Sequence, residues 1–225
     1  MYQALKNSLF EQDRHRYREI QKCVTTFNSM FNGNNIIQDD VFHIMENYVR
    51  KHDIPFGWLR YGISDQEFCA CTFIREKRLF VLVNTAIPMA KQIFAAAHEL
   101  YHIYRFIDDD DSGLSERGSI LNATTIDETT TVMEDMEANA FAGLLLAPAD
   151  RIDEQMRIYG IKRGSIDLQG ILMLMEIFAI PYKAMVLRLF EEEIISENQA
   201  RDFFLVPQSE IVEQVELTGK ASRWL

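Results

Sequence analysis

The chain has 225 residues, of which 48% are hydrophobic and 25% charged, the balance of a soluble globular protein with one well-buried domain. Its net charge of −11 argues against binding to DNA or to an anionic membrane, because both require clustered Lys and Arg. Three cysteines do not suggest a disulfide framework, and no stretch resembles a signal peptide or a membrane span, so we expect a reduced, cytoplasmic protein.

Residues 1–54 are expected to form an N-terminal helical segment. Apolar residues recur at helical spacing between Val41 and Val49, after the cap-like pair Asp39-Asp40. The run Asn32-Gly33-Asn34-Asn35 indicates a turn within this segment.

Three short β-strands should follow. They are rich in β-branched and aromatic residues and extend over Phe56 to Ile63, Glu67 to Ile74 and Arg78 to Asn84. The polar run Arg75-Glu76-Lys77 indicates a hairpin turn between the last two. Because both faces of these strands are largely apolar, we expect a small, mostly antiparallel sheet that is covered on both sides.

The remainder of the chain is predicted to be mainly helical. A first long helix should extend from Met89 to Ile107, since Thr85 can cap it and Pro88 suits its first turn. A polar segment, Asp108 to Thr131, separates it from a helix that begins near Val132 and ends before Pro148. Two further helices are expected near Leu168 to Ile180 and Tyr182 to Glu193, followed by a poorly patterned tail, 207–225. The pattern is that of an α+β domain over 55–206, with small sheet and helices packed together.

The first long helix contains the sequence His98-Glu99-Leu100-Tyr101-His102. Two histidines four residues apart lie on one face of a helix, where both imidazoles can hold one metal ion. Glu99 is not placed to complete that pair, but it can take a proton from a water molecule, which is the arrangement that HExxH provides in zinc peptidases. The apolar neighbours predict a buried helix, where two histidines and a Glu would need partners.

A catalytic zinc ion needs a third protein ligand, and the next helix offers candidates. Glu134 and Glu137 share one face of this helix, whereas Asp135 is expected on a solvated face. The residues alone leave the choice between Glu134 and Glu137 open.

These segments together resemble the ImmA/IrrE family of metallopeptidases. The similarity includes Phe80-Val81-Leu82-Val83-Asn84, the HExxH helix and the later stretch Met136-Glu137-Ala138-Asn139-Ala140-Phe141-Ala142-Gly143-Leu144-Leu145-Leu146-Ala147-Pro148, and covers roughly residues 55–190. It implies a zincin-like fold in which His98, His102 and Glu137 hold Zn²⁺, with Glu134 as a supporting partner. The chain departs from the family pattern at Tyr101, at Ala147 and in the long segment between the two motifs.

The resemblance also implies the biological role. It predicts a zinc-dependent endopeptidase that cleaves a helix-turn-helix transcriptional repressor, often encoded beside the peptidase in a mobile element or stress operon. Glu99 would be the general base, and the substrate strand would align along the edge of the small sheet. The alternative is a regulatory or toxin-antitoxin binding protein that uses the zincin scaffold without proteolysis, and a weaker one is a hydrolase of small amides. No direct contact with nucleic acid or membrane is expected.

Overall fold

Helices form most of this α+β chain. The computed structural model describes residues 3–30, 36–108, 118–127 and 132–217, so the turn expected at Asn32–Asn35 lies outside the described residues. The helices before the sheet are α1 (Gln3–Lys6), α2 (Leu9–Gln12), α3 (Arg14–Met30) and α4 (Val41–Lys51). Those after it are α5 (Met89–Asp108), α6 (Ala123–Asp127), α7 (Met133–Leu146), α8 (Ala149–Ile158), α9 (Leu168–Phe178), α10 (Tyr182–Glu191), α11 (Glu197–Phe204) and α12 (Gln208–Leu217).

The sheet has four strands in the order β1-β3-β2-β4. They are β1 (Phe56–Tyr61), β2 (Phe68–Arg75), β3 (Arg78–Asn84) and β4 (Gly118–Asn122). β2 is antiparallel to both of its neighbours, whereas β1 runs parallel to β3. Three of these strands and the hairpin between β2 and β3 confirm the sequence prediction. The fourth, β4, lies within a segment that was predicted to be a polar connection.

The described helices pack against only one face of this sheet. α5 contacts β2, β3 and β4 on the face that carries Leu79, Val81 and Val83, all of them fully buried. The opposite face carries the stacked rings of Phe73 and Phe80, which are only partly buried, and Ile120, which is 68% exposed. The expectation that both faces are covered is therefore wrong for the described elements. On the opposite face, the apolar side chains pack against one another and not against a helix.

α5 is the central helix of the domain. It packs most extensively on α7, and small residues at the contact, among them Ala95, Ala138 and Ala142, are fully buried. Small side chains let two helix backbones approach closely, so polar groups on facing turns of α5 and α7 come within hydrogen-bonding distance. α3 also packs on α7.

The N-terminal segment belongs to the same hydrophobic core as the rest of the chain. That core extends from Leu5 to Val215 and includes residues of α12, although the sequence predicted only a poorly patterned tail there. The Arg16 guanidinium donates to Glu137 on α7, and the Tyr17 hydroxyl donates to Glu191 on α10. Two consecutive residues of α3 thus bind two different helices of the domain.

Within the described residues, no single helix is both long and apolar enough to cross a bilayer. α9 and α10 reach that length only when they are taken together, and they meet at an angle of 102°.

Candidate metal centre

The HExxH residues lie in the middle of α5, at the deepest part of the fold. His98, Glu99 and His102 are 1%, 0% and 2% exposed, which is rare for ionisable side chains unless they have specific partners. The helix is buried because apolar and alanine side chains surround these residues on nearly every side. The sequence prediction that this helix is interior is confirmed.

The two imidazoles face each other through their Nε2 atoms, which are 3.1 Å apart. Each Nδ1 has a separate partner: Asn139 Oδ1 lies 2.9 Å from His98 Nδ1, and Glu134 Oε1 lies 2.9 Å from His102 Nδ1. Asn139 Nδ2 donates to the Thr125 carbonyl, so its oxygen is the atom directed at His98. Both partners accept a hydrogen bond, which places the proton of each neutral ring on Nδ1 and leaves the Nε2 lone pairs facing each other.

Asp135 is the carboxylate closest to this pair of nitrogens. Its Oδ1 lies 3.6 Å from His102 Nε2 and 3.9 Å from His98 Nε2. Asp135 stands four residues before Asn139, so both project from the same face of α7 towards α5. The prediction that Asp135 lies on a solvated face is wrong, because its side chain is only 23% exposed.

The structure places Glu137 apart from these donor atoms. Its Oε1 accepts from Arg16 Nε at 2.5 Å and its Oε2 from the Tyr101 hydroxyl at 2.5 Å. Both oxygens are thus held by donors on α3 and α5, and the resemblance-based assignment of Glu137 as the third ligand is not what this geometry supports. Glu134, the other candidate, occupies the supporting position beside His102 that was expected of it.

The three converging atoms fit a metal ion in both spacing and chemistry. The two Nε2 atoms and Asp135 Oδ1 all lie within 4.8 Å of one another. Two nitrogens bound at about 2.0–2.1 Å in a tetrahedral arrangement are about 3.3 Å apart, close to the 3.1 Å between the imidazoles. Two buried lone pairs that face each other repel unless a proton or a cation lies between them. The donor set suits zinc but is not specific to it, since two histidines and a carboxylate also bind other divalent metals.

Glu99 contacts the sheet. Its Oε2 accepts a hydrogen bond of 2.5 Å from the Ser119 hydroxyl on β4. Its Oε1 is buried and has no hydrogen-bond partner among the described residues. A buried carboxylate oxygen without a donor is costly, so this atom has the capacity to accept a proton or a hydrogen bond from a small molecule at the site.

Burial controls the ionisation of these side chains. Burial raises the pKa of the Glu99 carboxyl above its ordinary value, which makes it a better proton acceptor. Burial, followed by the charge of His102, lowers the pKa of His98 well below its ordinary value and keeps that ring neutral. Burial also opposes protonation of His102, but the hydrogen bond to Glu134 and the charges of Glu99, Glu134 and Asp135 outweigh it, so the pKa of His102 is raised.

An open cleft lies beside this site. Residues of α3, α5, β4 and α7 line it: Arg16, Arg105, Phe106, Gly118, Met133, Glu134 and Glu137. The cleft is adjacent to the site because Glu134 bonds His102 and Gly118 precedes the residue that bonds Glu99.

Sequence reasoning missed three residues of this arrangement. Asp135 was predicted to be solvated. Its spacing of four residues from Asn139 places both on one face of α7 and could have indicated a shared site. Asn139 was noted only as part of a motif, and its role as the partner of His98 depends on the packing of α5 against α7. Ser119 lies in a segment whose strand carries no alternating pattern, so nothing in the sequence marked it.

The chain matches no protein-family model, and a comparison with curated proteins yields no match. Family membership therefore remains a prediction from the motifs.

Proposed function

We propose that this protein is a zinc-dependent endopeptidase with a zincin-like catalytic domain. The observation that carries the proposal is the convergence of His98 Nε2, His102 Nε2 and Asp135 Oδ1 beside a buried glutamate that has one unpartnered oxygen. The proposed ligands are these three donors, so Asp135 replaces Glu137 in the set that the resemblance implied. When bound, zinc supplies Lewis acidity that polarises a peptide carbonyl and makes water more acidic.

Glu99 is the proposed general base. Its Oε1 accepts a proton from the attacking water, and the same carboxyl then returns that proton to the nitrogen of the leaving amine. A raised pKa suits both steps, because the carboxyl must hold the proton between them. Asn139 and Glu134 bond the Nδ1 atoms of the two histidines and so keep both rings oriented with Nε2 towards the metal position.

The outer edge of β4 is the proposed binding site for the substrate backbone. β4 pairs only with β2 among the described strands, so its other edge is available to a peptide that adds to the sheet. Gly118 at the start of β4 lines the cleft beside the metal donors, whereas two strands separate β4 from the other edge strand, β1. β4 is therefore the edge that would present a peptide bond to Glu99.

The proposed substrate class is a helix-turn-helix repressor. The sequence resemblance is the source of this idea, and charge supports it. The chain carries a net charge of −11, and DNA-binding proteins carry basic surfaces. Opposite charges on two proteins accelerate their encounter and favour the correct orientation.

The decisive experiment compares the purified wild-type protein with Glu99→Gln. Both are incubated with zinc and with a helix-turn-helix repressor encoded beside this protein, and fragments are identified by mass spectrometry. We expect discrete fragments with the wild type and none with Glu99→Gln, while both retain stoichiometric zinc. Glu213→Gln, an exposed change on α12, serves as the matched control and should cleave normally.

Two outcomes would refute the proposal. Cleavage by Glu99→Gln would exclude Glu99 as the base. A stable complex of the wild-type protein with the repressor but no fragments would favour the non-proteolytic binding protein instead. Elemental analysis of the protein purified without added metal identifies the metal, because iron binds to the same donor set in other proteins.

A further inference from the structure

Ser119 makes an unusual contact for a residue on an edge strand. Its hydroxyl donates to Glu99 Oε2 at 2.5 Å, and it is the residue of β4 that lies opposite Thr72 of β2. The next residue, Ile120, points outward and is 68% exposed. A fully buried carboxylate at the centre of the fold is thus held by the strand that lies at the margin of the sheet.

This contact decides which oxygen of Glu99 is free. With Oε2 occupied by the Ser119 hydroxyl, Oε1 is the oxygen left without a partner. A buried carboxylate with no donor on either oxygen could rotate about its last torsion, which has a broad energy profile. A charge-assisted O–H···O⁻ hydrogen bond is about twice as strong as a neutral one and fixes that rotation.

We propose that Ser119 is a positioning residue that orients the Glu99 carboxylate for proton transfer. The inference rests on the proposed peptidase function and extends it to a residue outside the HExxH motif. Because β4 is also the edge on which the peptide would pair, substrate bound there immobilises the strand that aligns the base. Alignment of the base is then linked to occupancy of the substrate edge.

The proposal is tested first by kinetics with a zinc-loaded protein. Ser119→Ala should lower kcat by roughly 10- to 100-fold, the usual effect of losing a partner that orients a functional group, with little change in KM and unchanged zinc stoichiometry. Ser119→Thr retains the hydroxyl and should restore most of kcat. Ser209→Ala, the same change at an exposed position of α12, is the matched control and should leave kcat unaltered.

A second measurement tests the contact without any catalysis. Thermal unfolding of metal-free wild type, Ser119→Ala, Glu99→Gln and the double variant forms a double-mutant cycle. We expect the two single changes in Tm to be non-additive, because each removes the same hydrogen bond. Additive changes in Tm would overturn the contact, and a Ser119→Ala protein with wild-type kcat would overturn the positioning role.

The experiments distinguish failure of the proposed peptidase function from failure of the proposed role of Ser119. If wild-type protein cleaves nothing, the peptidase function fails, while the thermal cycle still reports on the Ser119–Glu99 contact. If the wild type cleaves and Ser119→Ala cleaves equally well, only the role of Ser119 fails. A loss of zinc from Ser119→Ala would also overturn it, since the residue would then support the metal site and not the base.

Discussion

Asp135 and Glu137 are two residues apart on α7, yet their surroundings give them different tasks. Asp135 Oδ1 is within 4 Å of both imidazole Nε2 atoms. Glu137 is held by Arg16 and by the Tyr101 hydroxyl, so a metal ion would have to displace both donors to recruit it. The neighbours of each carboxylate depend on the folded structure. They distinguish the proposed metal ligand, Asp135, from Glu137, which belongs to a structural ion pair.

This difference predicts opposite effects of two conservative substitutions. Asp135→Asn should weaken zinc affinity by more than about 100-fold, because it removes a proposed direct ligand, a larger loss than the roughly 10- to 100-fold typical of supporting partners. Glu137→Gln should leave zinc affinity within about tenfold and instead lower the free energy of unfolding. Competition with a chromophoric chelator measures the first quantity and urea unfolding the second. The reverse order of zinc affinities would restore Glu137 as the ligand.

β4 shows where sequence-based prediction of this fold stops. The strands Phe56–Tyr61, Phe68–Arg75 and Arg78–Asn84 and the helices α5 and α7 are long or strongly patterned, so local periodicity was enough to place them. β4 has five residues and its burial depends on pairing with β2 and on packing against α5, which are non-local. The HExxH face was predictable because it follows from the helical periodicity of α5. The roles of Asp135 and Ser119 were not predictable, because they depend on contacts between elements.

The absence of a side chain at Gly118 allows β4 to pack closely against β2. A Cβ at this position would lie 2.8 Å from the Thr72 carbonyl oxygen, a backbone atom that cannot move aside without shifting the strand. Gly118→Ala should therefore destabilise the fold by about 1–3 kcal/mol, as overpacking does, and should also displace Ser119 from Glu99.

Urea unfolding of Gly118→Ala gives the stability, and the matched control is Gly62→Ala. A Cβ on Gly62 meets only Thr85 Oγ1 at 3.7 Å, an ordinary contact, so stability should change by less than about 0.5 kcal/mol. Equal unfolding midpoints for the two variants would contradict close packing of β4 against β2 at Gly118.

At the scale of the whole molecule, a buried hydrogen-bond network around Arg188 attaches the N-terminal segment to the domain. Arg188 is 2% exposed and donates to the Tyr17 hydroxyl, to Glu191 Oε2 and to the Ala147 carbonyl. Its side chain lies against Gly143, where a Cβ would approach it to 2.9 Å. One guanidinium thus connects α3, α10 and the end of α7.

Removal of this charge alone should be costly. Arg188→Met leaves the buried Glu191 carboxylate without its cation, which typically costs 3–5 kcal/mol. The double variant Arg188→Met/Glu191→Leu removes both charges and should be more stable than the single variant, because no unpaired charge remains buried. Urea unfolding of both proteins checks the order, and a double variant less stable than Arg188→Met would show that the network is not dominated by charge burial.

The donor set beside α5 has a consequence for how the protein responds to its surroundings. Both histidines lie on α5 and Asp135 lies on α7, so the complete set exists only in the folded state. A ligand that binds the folded state far better than the unfolded chain adds stability as RT ln(1 + [L]/Kd). The resistance of this fold to heat and to proteolysis would therefore follow the free metal concentration of its compartment, and the lifetime of the protein would report on metal supply.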